Sequence, residues 1–327
     1  MLQLAEKIIA GRRLGRENDL SVFLTADLGQ LCKGADRIRT ALCGNKADLC
    51  SIVNGRGGRC SEDCQFCAQS AHHHTGCDEH GFLSTSQLVE DCKNSWEKGI
   101  DRYSIVTAGR TLEGEDLQKA LTAYKKMHEA FPDLQLCASH GLMREEDIGK
   151  LYEAGVRMYH TNVETSEQYF PKICTTHTYE DKKEQIRRAK AAGMKVCSGG
   201  ILGMGESWHD RLEMAAFLAE MKADSIPLNF LIPIPGTPLE GQRPLEQEEI
   251  LRIVAIFRYL NPTAYIRIEA GRNYFPDGGG RLFRSGANAT ITGDMLTTTG
   301  QKTAQDRDML KKLGFQIKEV SHGDKCN

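Results

Sequence analysis

The sequence predicts an α/β protein built as a (β/α)8 barrel of the TIM type, preceded by a helical extension. Two observations support this architecture. Eight short runs rich in β-branched and apolar residues recur along the chain, and longer segments with helical periodicity lie between them. Strands that alternate with helices pair in parallel through right-handed crossovers, so eight such units are expected to close into one barrel.

The predicted strands follow one another at regular intervals. In chain order they are DLCSIVN, RYSIVTA, LQLCAS, RMYHTNVE, MKVCSGGI, SIPLNFLI, AYIRIEA and ANATITG. Between them, TSQLVEDCKNSWEKG predicts a helix with Ser84 or Thr85 as its N-cap and Gly99 as its end. In the same way, the helix in TYEDKKEQIRRAKAAG is expected to end at Gly193.

Residues 1–44 are predicted to form the helical extension, residues 45–315 the barrel and residues 316–327 a tail. No apolar run reaches transmembrane length, and the first residues have the pattern of an amphipathic helix rather than a signal peptide. We therefore expect a cytoplasmic protein.

Composition excludes several classes of partner. The chain has 327 residues, is 40% hydrophobic and 26% charged, and carries a net charge of −2. This balance supports a large core but provides no basic surface for nucleic acid or an anionic membrane. Twelve cysteines in a reducing compartment indicate metal binding or thiol chemistry rather than disulfides.

Three of these cysteines are clustered in GRCSEDCQFCAQS. Cys60, Cys64 and Cys67 have the spacing C-x3-C-x2-C, whereas structural zinc sites usually take four protein ligands. The histidines at 72–74 could complete a zinc shell, which stays an alternative. Three thiolates suit a cubane iron–sulfur cluster that leaves one iron open to a small molecule.

This motif, with an aromatic residue before its last cysteine, is similar to the radical S-adenosylmethionine signature, and the extension CSEDCQFCAQS resembles the biotin synthase family. Further blocks in the same order are HTNVETS, KVCSGGILGMGE, PLNFLIPIPGTPLE and YIRIEAGR. The resemblance implies a [4Fe-4S] cluster, S-adenosylmethionine, and sulfur insertion into dethiobiotin through a 5′-deoxyadenosyl radical. It also implies a flavodoxin- or ferredoxin-type electron donor and a homodimer.

The resemblance places catalytic iron ligands at the three clustered cysteines and cofactor contacts elsewhere. Asn162 and Glu164 match positions that bind the ribose hydroxyls, where the second residue is commonly Asp. Lys182 matches a family arginine, but lysine has no bidentate fork for a carboxylate. Phe66 and Asn229, within two of the matching blocks, are also expected to contact the cofactor.

A second cluster is implied inside the barrel, where the family uses three cysteines and an arginine. Cys137, Cys197 and Arg267 match three of these positions, but the fourth is Ser104. A serine hydroxyl is a poor ligand for iron beside sulfide, so the usual two-iron site is in doubt.

Two cysteines that the family pattern lacks could compensate. Cys50 lies on the first predicted strand and Cys43 lies just before it. With Cys137 and Cys197 they supply four thiolates, which favours a four-iron auxiliary cluster over a [2Fe-2S] cluster and leaves Arg267 as a neighbouring charge. The alternative is that these cysteines are small buried apolar residues.

Two other functions stay open at this point. One is another radical enzyme of the same group, such as a maturase of the hydrogenase diiron site. The other is a non-catalytic iron–sulfur or zinc protein. The remaining cysteines are interpreted as structural or incidental: Cys32, Cys77, Cys92, Cys174 and Cys326.

Overall fold

A closed barrel of parallel strands forms the centre of the computed structural model, which describes residues 1–293, 300 and 302–320. The strands are β1 (Asp48–Arg56), β2 (Arg102–Thr107), β3 (Gln135–Ser139), β4 (Val156–His160), β5 (Lys195–Cys197), β6 (Gly200–Leu202), β7 (Ser225–Phe230), β8 (Tyr265–Ile268) and β9 (Ala289–Ile291). Each pairs with its neighbours in parallel, and pairing of β5 with β7 closes the ring. Since β5 and β6 share one position, the barrel has eight, and the predicted fold is confirmed.

The fifth barrel position is broken where one continuous strand was predicted over MKVCSGGI. A Cβ on Gly199 would lie 1.9 Å from the carbonyl oxygen of Pro227, and one on Gly200 would lie 2.2 Å from that of Glu164. The chain therefore needs glycine at both positions for close backbone approach. This approach joins the end of β4 to β6 and brings Glu164 to the rim of the barrel.

The helices surround the barrel. They are α1 (Leu2–Ile9), α2 (Val22–Thr25), α3 (Leu28–Cys43), α4 (Thr85–Glu97), α5 (Gly114–Ala130), α6 (Glu145–Glu153), α7 (Tyr179–Ala191), α8 (Trp208–Glu220), α9 (Gln247–Leu260), α10 (Gly280–Phe283) and α11 (Thr303–Lys312). Ser84 caps α4 through a reciprocal pair of bonds with Gln87. Gly99 and Gly193 follow their helices with φ of +71° and +82°, as expected of helix ends.

The two faces of each strand have different surroundings. Leu49, Tyr103 and Ile105 point outward into the main apolar core between strands and helices. Cys137 and Cys197 belong instead to a small separate cluster inside the barrel. Because side chains alternate along a strand, the inward positions are available for a site.

The N-terminal extension packs on the outside of the barrel. Helix α3 lies against α1 and α9. Gln316 accepts a hydrogen bond from the backbone of Ala47 at 2.9 Å and donates one to Asn45 at 2.8 Å, just before β1. The boundaries at residues 45 and 315 stay predictions. No helix within the described ranges combines the length and apolar character needed to span a membrane.

Candidate active site

The loop after β1 carries Cys60, Cys64 and Cys67, here called the mouth triplet, at the carboxyl end of the barrel. Cys60 donates its backbone N–H to Gln69 at 2.8 Å, and its carbonyl accepts from Ala71 at the same distance. Cys67 donates to the carbonyl of Cys64 at 3.0 Å. These bonds fold the loop on itself, so three thiols from eight positions share one partly buried turn.

Two thiols of the mouth triplet, those of Cys64 and Cys67, have raised pKa values. Burial raises the pKa of Cys67 to about 11, helped by the nearby Cys60 thiol. A hydrogen bond to Cys174, followed by burial, raises the pKa of Cys64, and the same bond lowers the pKa of Cys174 to about 4. A bound metal must therefore displace protons from Cys64 and Cys67.

Glu164 has a strained backbone at the rim of the barrel. Its φ is +68°, a left-handed conformation that a residue with a Cβ adopts at a cost of about 1–3 kcal/mol. Its carbonyl accepts from Ile201 at 2.9 Å, and Gly199 donates to the side chain of Asn162 at 3.0 Å. These bonds hold Asn162 and Glu164 side by side over the barrel mouth.

The carboxylate of Glu164 has an unsatisfied atom. Its Oε2 is buried and has no hydrogen-bond partner, and burial raises its pKa although Lys182 lies near enough to oppose this. The charge of Lys182 also opposes the rise in the pKa of Cys64. The Lys182 ammonium, the Glu164 carboxylate and the mouth triplet therefore border the same space. A buried oxygen without a partner suits a ligand that brings its own donors, such as ribose hydroxyls.

An apolar wall completes the mouth. Phe66 packs against the buried side chains of Ile173, Met204 and Leu231, together with Tyr169. The sequence predicted a cofactor contact at Phe66, and the structure places it beside the triplet on an apolar surface that suits one face of an aromatic base.

Deeper in the barrel, Cys50, Cys137 and Cys197 form a second group, here called the interior trio. Their exposed fractions are 6%, 4% and 6%. Burial raises the pKa of each, that of Cys197 to about 12, while the charge of Arg267 opposes the rise in all three. The structure therefore brings together Arg267 and three of the four predicted auxiliary ligands.

The charge balance beside the interior trio is positive. Asp48 accepts from Arg267 at 2.5 Å and from Arg102 at 2.9 Å, so two buried guanidiniums share one carboxylate. Burial works to raise the pKa of Asp48, but the two arginines hold it below its usual value. An excess cation in a buried site calls for an anionic partner, which an iron–sulfur cluster with thiolate ligands provides.

Ser104 and Cys43 occupy different surroundings. Ser104 stands on β2 beside Cys137 in the register. Cys43 ends α3 on the outside of the barrel, where its sulfur lies 3.3 Å from Arg258 and 3.5 Å from the carbonyl of Pro262. The structure does not bring Cys43 to the interior trio, because α3 packs against α9 and directs its last turn to the turn before β8.

Sequence reasoning missed Glu269, which follows β8. It accepts from the Asn229 side chain at 3.0 Å, while the backbone N–H of Ala270 donates to that side chain at 3.2 Å. Burial raises the pKa of Glu269 to about 7. Its only signal in the sequence is an acidic residue at an inward position of the apolar run YIRIEAG.

Comparison with known proteins identifies this arrangement. Residues 56–218 match the family described as the Radical SAM superfamily, and residues 227–316 match the Biotin and Thiamin Synthesis associated domain. A biotin synthase of Alkaliphilus metalliredigens is 58% identical over 96% of this chain and 99% of its own. One of Clostridium beijerinckii is 56% identical over 97% of this chain and 100% of its own. The chain belongs to the biotin synthase family.

Solved structures agree on the fold. Methylornithine synthase (PylB) superposes with a TM-score of 0.83 at 21% identity, over 97% of this chain and 98% of its own. HydG, a maturase of the [FeFe]-hydrogenase, superposes at 0.80 and 16% identity, over 96% of this chain and 74% of its own. At these identities the likeness concerns the barrel alone.

Membership of the biotin synthase family confirms the predicted function and enzyme class, a radical sulfur-insertion enzyme. It sets aside both the maturase and the non-catalytic protein. The radical SAM family implies a [4Fe-4S] cluster and S-adenosylmethionine, and biotin synthases imply an auxiliary cluster. The enzyme acts on a small molecule and depends on an electron donor.

Proposed function

We propose that this chain converts dethiobiotin to biotin with one cluster on the mouth triplet and a sulfur-donating cluster on the interior trio. The observation that carries the proposal is that one barrel contains two sets of three cysteine thiols. One set lies on a loop at the mouth, and the other is buried below it beside Arg267. Biotin synthesis by radical chemistry needs both a radical source and a sulfur source close to one substrate.

At the mouth, the donor set fits a cubane with one open iron. When bound there, this cluster and S-adenosylmethionine supply the radical chemistry, while the protein orients the groups and excludes water. Glu164 and Asn162 hold the ribose, Phe66 provides the apolar wall for the base, and Lys182 faces the carboxylate end. The unsatisfied Oε2 of Glu164 supports this arrangement.

In the interior, three thiolates beside a cationic pair fit a four-iron cluster better than a two-iron one. A cubane with three protein ligands keeps one iron open, at which a transferable sulfur can be held. Arg267 donates to Asp48 and to backbone carbonyls, so it acts as a neighbouring charge and hydrogen-bond donor rather than as a ligand. Cys43 has no place in this set.

Asn229 and Glu269 supply polar groups for the substrate. Dethiobiotin carries a cyclic urea with two N–H donors and one carbonyl acceptor. The amide of Asn229 and the carboxylate of Glu269, bonded to each other on neighbouring strands, offer both an acceptor and a donor at the mouth. We place the urea ring against this pair.

We also propose a flavodoxin- or ferredoxin-type donor, a homodimer and a cytoplasmic location. The partly exposed mouth triplet supports electron entry at the carboxyl end of the barrel. Sedimentation analysis tests the dimer, and turnover with purified flavodoxin or ferredoxin tests the donor.

The interior site is tested by matched variants prepared without oxygen. Cys50→Ser should lose the auxiliary iron and biotin formation but still release 5′-deoxyadenosine, because the mouth triplet is intact. Ser104→Ala and Cys43→Ser are controls that should keep both clusters and biotin formation. A Cys50→Ser enzyme with a full iron complement and normal biotin yield would refute the interior trio.

A further inference from the structure

A second set of metal-binding side chains adjoins the mouth triplet. Cys174 and His177 belong to the loop before α7, and Cys64 belongs to the loop after β1. One ligand atom from each of these three residues lies within 4.8 Å of the others. Cys174 and His177 are both buried. Because the side chains come from two separate loops, their meeting is a property of the fold rather than of a local motif.

The distances suit tetrahedral coordination. The sulfur of Cys174 lies 3.8 Å from Nε2 of His177 and 3.3 Å from Nδ1 of the same ring. A zinc ion bound at about 2.3 Å by sulfur and about 2.0 Å by nitrogen or oxygen places neighbouring ligand atoms roughly 3.3–3.8 Å apart. With Cys64, the set offers two sulfurs and one nitrogen. The fourth position of a tetrahedral ion is then left for a water molecule.

The imidazole of His177 is oriented for this role. Its Nδ1 lies 2.5 Å from Oε2 of Glu62, and the same oxygen accepts from the hydroxyl of Thr176 at 2.9 Å. A carboxylate that accepts a hydrogen bond from Nδ1–H leaves Nε2 as the ligand atom and raises its basicity, as in many zinc sites. Glu62 is itself buried, at 7% exposed.

We propose that the chain without its first cluster binds one divalent cation of the zinc class at Cys64, Cys174 and His177. Cys64 is the ligand shared with the mouth triplet, so the cation and the first cluster compete for it. This competition rests on the proposed role of Cys64 in the cluster. Binding requires both sulfurs as thiolates, and the cation must leave before the cluster is built.

Cobalt(II) is the probe that tests the site. The full-length chain, stripped of metal and kept reduced, should bind one Co²⁺ with thiolate charge-transfer bands and the visible bands of a tetrahedral ion. Zn²⁺ should displace it. Cys174→Ser and His177→Gln should lose this spectrum, whereas Cys60→Ser and Cys137→Ser should keep it. Circular dichroism checks that each variant is folded.

Two results would overturn the site. One is the absence of stoichiometric tetrahedral cobalt in the unmodified chain. The other is loss of the spectrum in Cys60→Ser or its retention in Cys174→Ser, since either result places the cobalt on other cysteines. Reconstitution with iron and sulfide separates this inference from the proposed function, because a full first cluster in Cys64→Ser would refute the mouth triplet whatever cobalt shows.

Discussion

The mouth triplet and the interior trio use the same number of thiols in opposite settings. The triplet lies on one loop, is partly exposed, and is held by backbone hydrogen bonds within residues 60–71. The trio is gathered from three separate strands, is almost fully buried, and sits beside two guanidiniums that share one carboxylate. Cysteines on one loop can be recognised from their spacing in the sequence. Cysteines brought together by closure of the barrel are recognised only from strand register and burial.

The largest expected effect separates the triplet from other cysteines on its loop. Cys67→Ala should abolish release of 5′-deoxyadenosine, because two thiolates do not hold the cubane. Cys77→Ala on the same loop is the control and should retain release. Chromatography of the products after dithionite reduction measures both, and normal release by Cys67→Ala would contradict the triplet.

The next effect tests the charge beside the interior trio. Arg267→Met leaves Asp48 with Arg102 alone and removes the excess positive charge, so auxiliary iron and biotin yield should fall severely while 5′-deoxyadenosine is still released. Arg267→Lys restores the charge and should recover part of the yield. Equal iron content and biotin yield in Arg267→Met and the unmodified enzyme would show that the cation has no role there.

A third prediction concerns pH and a buried group outside both sites. His140 is bonded to Thr107 at 3.1 Å and Tyr124 at 3.0 Å, and burial lowers its pKa to about 3. Below about pH 6.5, His140 becomes protonated in the unfolded chain but stays neutral in the folded chain. The free energy of unfolding should therefore fall by up to about 5 kcal/mol between pH 6.5 and pH 3.

His140→Gln should flatten this dependence, at a cost near pH 7 of about 1–3 kcal/mol for the disturbed hydrogen bonds. Denaturant unfolding of the two proteins at several pH values measures it. If the free energy of unfolding of His140→Gln fell with pH as steeply as that of the unmodified chain, the loss of stability in acid would arise from other groups, for instance the carboxylates around the sites.

The smallest effect tests how the mouth holds its cofactor. Asn162→Ala and Glu164→Gln should each weaken binding of S-adenosylmethionine by about 1 kcal/mol, or about fivefold, because each loses hydrogen bonds to the ribose. Glu164→Gly removes the backbone strain as well as the carboxylate. Comparing its affinity with that of Glu164→Gln therefore separates the effect of the strain from that of the carboxylate. Unchanged affinity in calorimetric titration of both Asn162→Ala and Glu164→Gln would argue against this placement.

Most of the fold could be predicted because its signals are local. Strand runs, the Ser84 cap and the stops at Gly99 and Gly193 each depend on a few neighbouring residues. The break before β6 could not be predicted in this way, since it depends on the approach of Pro227 and Glu164 to two glycines.

The site was predictable where spacing carries the chemistry and less so where packing does. The positions of Cys50, Cys137 and Cys197 followed from their strands, but Cys43 could not be placed, because the direction of the last turn of α3 depends on its packing against α9. The partners of Cys174 could not be predicted either, because Cys64 lies close to it in the fold but 110 residues away in the sequence.

We infer that one barrel holds two iron–sulfur clusters on separate sets of three cysteines. Anomalous diffraction at the iron edge from crystals grown without oxygen tests this most directly. We expect two iron peaks, one against the mouth triplet and one against the interior trio, with no iron within bonding distance of the Cys43 sulfur. A single peak at the mouth in a crystal of enzyme that makes biotin, or iron bound by Cys43, would contradict it.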